Sequence, residues 1–184
     1  DREVRRQGEG CIRDGAGARG VGRKMPRGPV EEETGAGRMQ RIDKGQPFLV
    51  IVDFAHTPGS LEQAIRTAIR IRDEQAGQGQ IITVFGSAGK RDVVKRTVMA
   101  EISAREADLT ILTAEDPRTE SLEEILATMA AGCRNEGGLE DATFWRIPDR
   151  GRAIYFALQL AQPQDILLIC GKGHEQSMCF GTTE

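Results

Sequence analysis

FLVIVDFAHTP, residues Phe48 to Pro58, decides how the rest of the chain is read. From Phe48 to Val52 every residue is apolar, and the run stops at an acid, Asp53. An unbroken apolar run of that length suits a strand buried on both faces of a parallel sheet. Asp53 and His56 then fall at the strand's carboxyl end. Pro58, Gly59 and Ser60 turn the chain into a helix, with Ser60 as the expected cap. Ligands of open parallel sheets bind at that edge, so every later strand-to-helix loop is a candidate contributor to one site.

Working outward, four more runs read as strands: Ile81 to Phe85, Asp108 to Thr113, Thr143 to Ile147 and Asp165 to Cys170. Segments of helical period lie between them. Leu61, Ala64, Ile65, Ala68 and Ile69 share one face, as do Leu122, Ile125, Leu126 and Met129, and Ser121 with Glu124 reads as a capping box. Val94 to Arg105 and Arg152 to Ala161 complete four helices. The alternation predicts a Rossmann-like α/β fold, a mostly parallel sheet of about five or six strands with helices on both faces.

Composition narrows the function. The chain has 184 residues, enough for one domain with a core, and its formal charge of -3 with 4% aromatic residues argues against a nucleic-acid surface. No apolar run approaches the roughly 18 residues of a membrane span, and a cytoplasmic location is expected. Cys11, Cys133, Cys170 and Cys179 lack metal-site or disulfide spacing and read as reduced thiols, with Cys170 in the core. Residues 1 to 34 are rich in Arg and Gly without apolar periodicity and close on Glu31, Glu32 and Glu33. They read as a disordered basic arm, a linker tail or out-of-frame translation, and residues 35 to 184 as the folded unit.

The five strand-to-helix loops, DFAHTP, GSAGKRD, AEDPRTE, IPDRG and GKGHE, carry more charge than turns require. They bring Asp53, His56, Lys90, Arg91, Glu115, Asp116, Arg118, Lys172, His174 and Glu175 to one rim. Such mixed charge suits a zwitterionic ligand beside a phosphate. Gly86 to Asp92 is an anion-friendly turn, but with two residues between Gly86 and Gly89 and Arg91 after Lys90 it is not a Walker A loop. His56 and His174 are the only histidines, and hydrogen bonding to a nucleotide or water is the preferred role over zinc ligation. No resident metal is expected.

Taken together, GRM at Gly37 to Met39, VDFAHTP at Val52 to Pro58, GSAGKRDVVKR at Gly86 to Arg96, EDPR at Glu115 to Arg118 and GKGHE at Gly171 to Glu175 resemble the C-terminal domain of the Mur ligases, of the UDP-N-acetylmuramoyl-tripeptide synthetase (MurE) type. The resemblance covers the chain from about Gly35 onward and stops short of the usual domain end. It implies an ATP- and Mg2+-dependent ligase of peptidoglycan synthesis, which adds a third amino acid to UDP-N-acetylmuramoyl-L-alanyl-D-glutamate. There ATP phosphorylates the glutamate carboxylate and the incoming amine attacks the acyl phosphate. The UDP-binding and central ATPase domains of such ligases are not in this sequence, so the chain alone is expected to be inactive.

By the same resemblance Arg38, Asp53 and His56 face ATP, and Arg91, Glu115, Asp116, Pro117, Arg118, Gly171 and Glu175 hold the amino acid. Arg91 and Arg118 suit a carboxylate, while Glu175 and the Gly171 carbonyl suit a distal ammonium. That set fits meso-diaminopimelate better than lysine or ornithine. One departure stands out: the diaminopimelate pattern is usually DNPR, and here Glu115 and Asp116 occupy its first two places. The charge of Asp116 would need an answer from Arg118 or Arg91. A stand-alone amino-acid or nucleotide binding module, and another Mur-type amide ligase such as a cyanophycin-type enzyme, are the alternatives.

Overall fold

The computed structural model describes residues 37–75, 78–173 and 177–182. The expected tail with Cys11, and the rim residues His174 and Glu175, lie outside the described residues. The elements run β1 (Gln40–Ile42), β2 (Leu49–Asp53), α1 (Pro58–Glu74), β3 (Ile81–Phe85), α2 (Val93–Glu106), β4 (Leu109–Leu112), α3 (Leu122–Asn135), β5 (Phe144–Arg146), α4 (Arg150–Leu160) and β6 (Ile166–Cys170).

One sheet contains all six strands, in the order β1-β2-β6-β3-β4-β5. The five strands read from the sequence are mutually parallel, and β1 is an added antiparallel edge with Gln40 opposite Val52. Alternation of side chains sorts the strands onto two faces. Ile51, Ile81, Phe85, Leu112, Ile166, Leu168 and Cys170 pack with α1, α2 and α3 in one buried cluster. Val50, Ile82, Val84, Ile111, Leu167 and Ile169 pack with Ala153 and Ala157 of α4 in the other. Each large aliphatic side chain so buried contributes roughly 1.5–3 kcal/mol. The apolar runs legible in the sequence are therefore strands covered on both sides.

The helix starts set the loop geometry at the carboxyl edge. Thr57, not Ser60, caps α1: the Thr57 hydroxyl accepts from the Ser60 N–H, the Ser60 hydroxyl accepts from the Thr57 N–H, and Pro58 sits in the first turn. Proline is suited to the first helical position because its missing donor is not needed there, which moves the cap one residue before it. Asp92, Ser121 and Asp149 cap α2, α3 and α4 through their side chains. Among the described residues, no helix is long and apolar enough to cross a membrane.

Candidate functional site

Because β2, β6, β3, β4 and β5 are parallel, the loops that follow them share one edge of the sheet, as the sequence implied. The short β1 has a direct consequence there. Running antiparallel to β2, it brings the Gly37 to Met39 turn to the carboxyl end of that strand. Asp53 fastens it: Oδ2 accepts from the Met39 N–H at 2.8 Å, and Oδ1 accepts from the Ala55 N–H at 2.7 Å. Beside this joint lies a cleft of ≈ 360 Å³ bordered by Arg38, Met39, Asp53, Phe54, Ala55 and Ser60. His56 does not line the cleft; its Nδ1 is 2.9 Å from the Phe54 carbonyl and its ring is edge-on to Phe54. Arg38 and Asp53 are thus brought together, while His56 is not in their cleft.

The neighbouring strand continues the rim. Asp53 is opposite Cys170 in the register, and a Cβ on Gly173 would come within 2.9 Å of the Gly37 Cα. Gly171 has φ +96, and a Cβ there would meet Glu115 Oε2 at 2.2 Å. Glu115 is 6% exposed, and its Oε2 has no hydrogen-bond partner among the described residues. Burial pushes its carboxyl up to about 7, against the opposing charges of Lys95, Arg150 and Lys172; Asp116 adds to the rise. Ser87 Oγ, at the end of β3, is likewise buried without a partner among the described residues. Buried polar atoms left over at a strand edge are where a ligand or water is expected to bind.

Asp116 finds its answer elsewhere than expected. Its Oδ2 accepts from Lys172 Nζ at 2.7 Å and its Oδ1 from the Cys179 N–H at 2.8 Å. Burial raises its carboxyl, but those two hydrogen bonds and the charges of Lys172 and Arg118 outweigh it and hold the group below its usual range. Lys172 is therefore the principal counter-charge, and Arg118 assists from a distance. The backbone of Arg118 is held by the segment after residue 177, its N–H donating to Cys179 O and its carbonyl accepting from Gly181 N–H. Its side chain stays exposed, as does that of Arg91. Pro117 is buried, its carbonyl against Gly89.

Lys90, Asp116 and Arg118 all have positive φ, at 56, 39 and 56 degrees, a conformation that costs non-glycine residues energy and that gathers at functional loops. Two residues that sequence reasoning passed over also converge here. Arg150, the first residue of α4, donates through Nη2 to the Cys170 carbonyl at 2.8 Å and through Nη1 to the Ala114 carbonyl at 3.4 Å. Lys95 acts on Glu115 through its charge from the first turns of α2. Their only sequence signal was position beside loaded loops. Among the described residues, no group of three or more His, Cys, Asp or Glu side chains stands ready to ligate a metal.

Comparison with known proteins identifies what this rim resembles. The family model described as Mur ligase, glutamate ligase domain, matches residues 37–173. A UDP-N-acetylmuramyl-tripeptide synthetase of Roseiflexus sp. (strain RS-1) is 49% identical over 147 residues, 80% of this chain and 28% of that protein. A UDP-N-acetylmuramoyl-L-alanyl-D-glutamate--2,6-diaminopimelate ligase of Geobacillus thermodenitrificans (strain NG80-2) is 41% identical over 145 residues, 79% of this chain and 28% of that protein. The chain thus spans about a quarter to a third of the length of these curated relatives. A solved structure of a UDP-N-acetylmuramoyl-L-alanyl-D-glutamate--2,6-diaminopimelate ligase superposes with TM-score 0.68 at 38% identity, covering 79% of this chain and 28% of that one.

Proposed function

This chain belongs to the Mur ligase family through its glutamate ligase domain, and on that premise we propose that it holds the amino acid added third to UDP-N-acetylmuramoyl-L-alanyl-D-glutamate, with meso-diaminopimelate as the preferred substrate. The observation that carries this reading is Glu115. Its buried, unpartnered Oε2 lies against Gly171, on the same rim as the exposed guanidinium groups of Arg91 and Arg118. One end of the site accepts hydrogen bonds and the other donates them, the complement of a side chain bearing both ammonium and carboxylate.

The assignment follows from the charges. Arg118 and Arg91 pair with the distal carboxylate, each charge-assisted bond contributing roughly 1.5–3 kcal/mol. Glu115, the Gly171 carbonyl and Glu175 accept from the ammonium, and buried Pro117 fixes the loop between them. An acidic Glu115–Asp116 pair favours lysine on its face. Lys172 neutralises Asp116, however, and removes most of that preference.

For ATP, Arg38 is the cation in the cleft beside β2 and suits a phosphate. Asp53, with both oxygens committed to backbone N–H groups, shapes the cleft, and His56 lies beside it. When bound, ATP supplies the phosphoryl group that activates the acceptor carboxylate. Magnesium is assigned to the remainder of the ligase and the phosphates.

The test replaces the matched stretch of the full-length Roseiflexus synthetase with this domain and measures ligation of meso-diaminopimelate, lysine and ornithine. The expected result is a preference for meso-diaminopimelate that falls about ten- to hundredfold in Arg118→Ala. Equal use of lysine, unchanged by Arg118→Ala, would overturn it.

A further inference from the structure

We propose that Arg96 and Glu120, which lie away from the site itself, are positioning residues that set the spacing between Arg91 and Arg118 and thereby the side chain the site accepts. The proposal rests on the assignment of those two arginines to the amino acid.

Arg96 is on α2 and only 2% exposed. Its Nη1 donates to Glu120 Oε1 at 2.5 Å and its Nη2 to Glu120 Oε2 at 2.7 Å, a two-point pair. Both partners also grip the loop after β3. Arg96 Nη2 reaches the Ala88 carbonyl at 3.3 Å, and Glu120 Oε2 accepts from the Lys90 N–H at 2.8 Å. The Gly89 N–H donates to the Asp116 carbonyl at 3.0 Å between these two points. The brace thus ends on the residue immediately before Arg91, and Glu120 itself stands two positions after Arg118. Lys90, whose N–H this carboxylate accepts from, has positive φ.

The pair contributes to stability, but stability alone does not account for its placement. Arg96 Nε is buried with no partner among the described residues. Arg96 is buried while Glu120 is partly exposed, and a pair whose buried member leaves a donor unmet gains less than a fully satisfied one. A pair can, however, do what apolar residues cannot: hold two loops at one separation through directional bonds. The hydrogen bonds from Arg96 first, and from the Lys90 N–H second, hold Glu120 down to about 2, so the brace keeps its charge at any physiological pH.

The test uses the same full-length ligase carrying this domain. In the double variant Arg96→Met with Glu120→Met, the expected result is a KM for meso-diaminopimelate raised about tenfold or more, with the KM for ATP and kcat within about twofold of the parent. In that background Arg91→Ala should cost less than it does alone, a coupling that a purely structural pair would not produce. Glu120→Gln, which keeps the shape, should shift the same KM at least about threefold and decides the matter if the double variant folds poorly. Arg91→Ala and Arg118→Ala run in parallel separate the two ideas. If they raise the KM and the brace variants do not, the brace is structural only and the proposal fails. If neither arginine matters, the substrate assignment fails and takes the brace with it.

Discussion

Replacing Glu115 by Gln should make the chain's stability insensitive to pH in a window where the parent is not. Glu115 is buried, and its carboxyl is raised from 4.5 to about 7. Between those values the folded chain keeps the proton that the unfolded chain has lost. The folded state binds more protons, so stability falls as pH rises from about 4.5 to about 7 and stays level above that. At 1.36 kcal/mol per pH unit, the loss is about 3 kcal/mol. For a chain of this size that is roughly 6 to 12 °C in Tm.

The other shifted carboxylates do not interfere. Asp116, Glu120 and Glu140 are held below their ordinary values, so their contributions are present above those values and disappear only as pH falls through the lowered ones. Urea unfolding of the parent and of Glu115→Gln at half-unit steps from pH 5 to 8 isolates the effect as the difference between two curves. The variant's advantage over the parent should be under about 1 kcal/mol at pH 5 and should grow by about 2.5 kcal/mol by pH 8. A difference that does not change with pH would mean that Lys95, Arg150 and Lys172 outweigh burial and that Glu115 is ionised throughout. That outcome would refute the reasoning.

Lys172→Met should release Asp116: its carboxyl, followed by carbon NMR, should titrate at higher pH than in the parent, because the largest opposing interaction is gone. An unmoved titration would show that the Cys179 N–H and the Arg118 charge hold the group without it. Gly89→Ala places a Cβ 1.9 Å from the Pro117 carbonyl oxygen, a backbone atom with nowhere to go. Thermal unfolding should report a loss of about 1 to 3 kcal/mol, and a Tm equal to the parent's would show that the two loops part freely.

What the sequence made legible, and what it hid, follows from the range of each interaction. The apolar runs at 49–53, 81–85 and 166–170 announce strands because both faces are covered and no polar alternation interrupts them. Gln40 to Ile42 announces nothing: three residues, two of them exposed, become a strand only because β2 offers a free edge. The Thr57 cap was within reach, since Pro58 is better placed in a first turn than before one. The motif loops placed Glu115, Asp116 and Gly171 correctly on one edge. Pairing within that edge was another matter. Asp116 meets Lys172, and Arg96 meets Glu120, across loops that only the sheet order brings side by side.

That sheet order also sets a timetable for synthesis. β6 lies between β2 and β3, although it is the last of the six strands to leave the ribosome. Until Ile166 to Cys170 has emerged, Leu49 to Asp53 and Ile81 to Phe85 have no common neighbour, and each presents an apolar strand with an open edge. Such edges invite pairing with other chains. The half-finished domain is accordingly the form most in need of a chaperone, and the β2 side of the charged rim meets the β3–β4 side in one late step, when β6 slots between them.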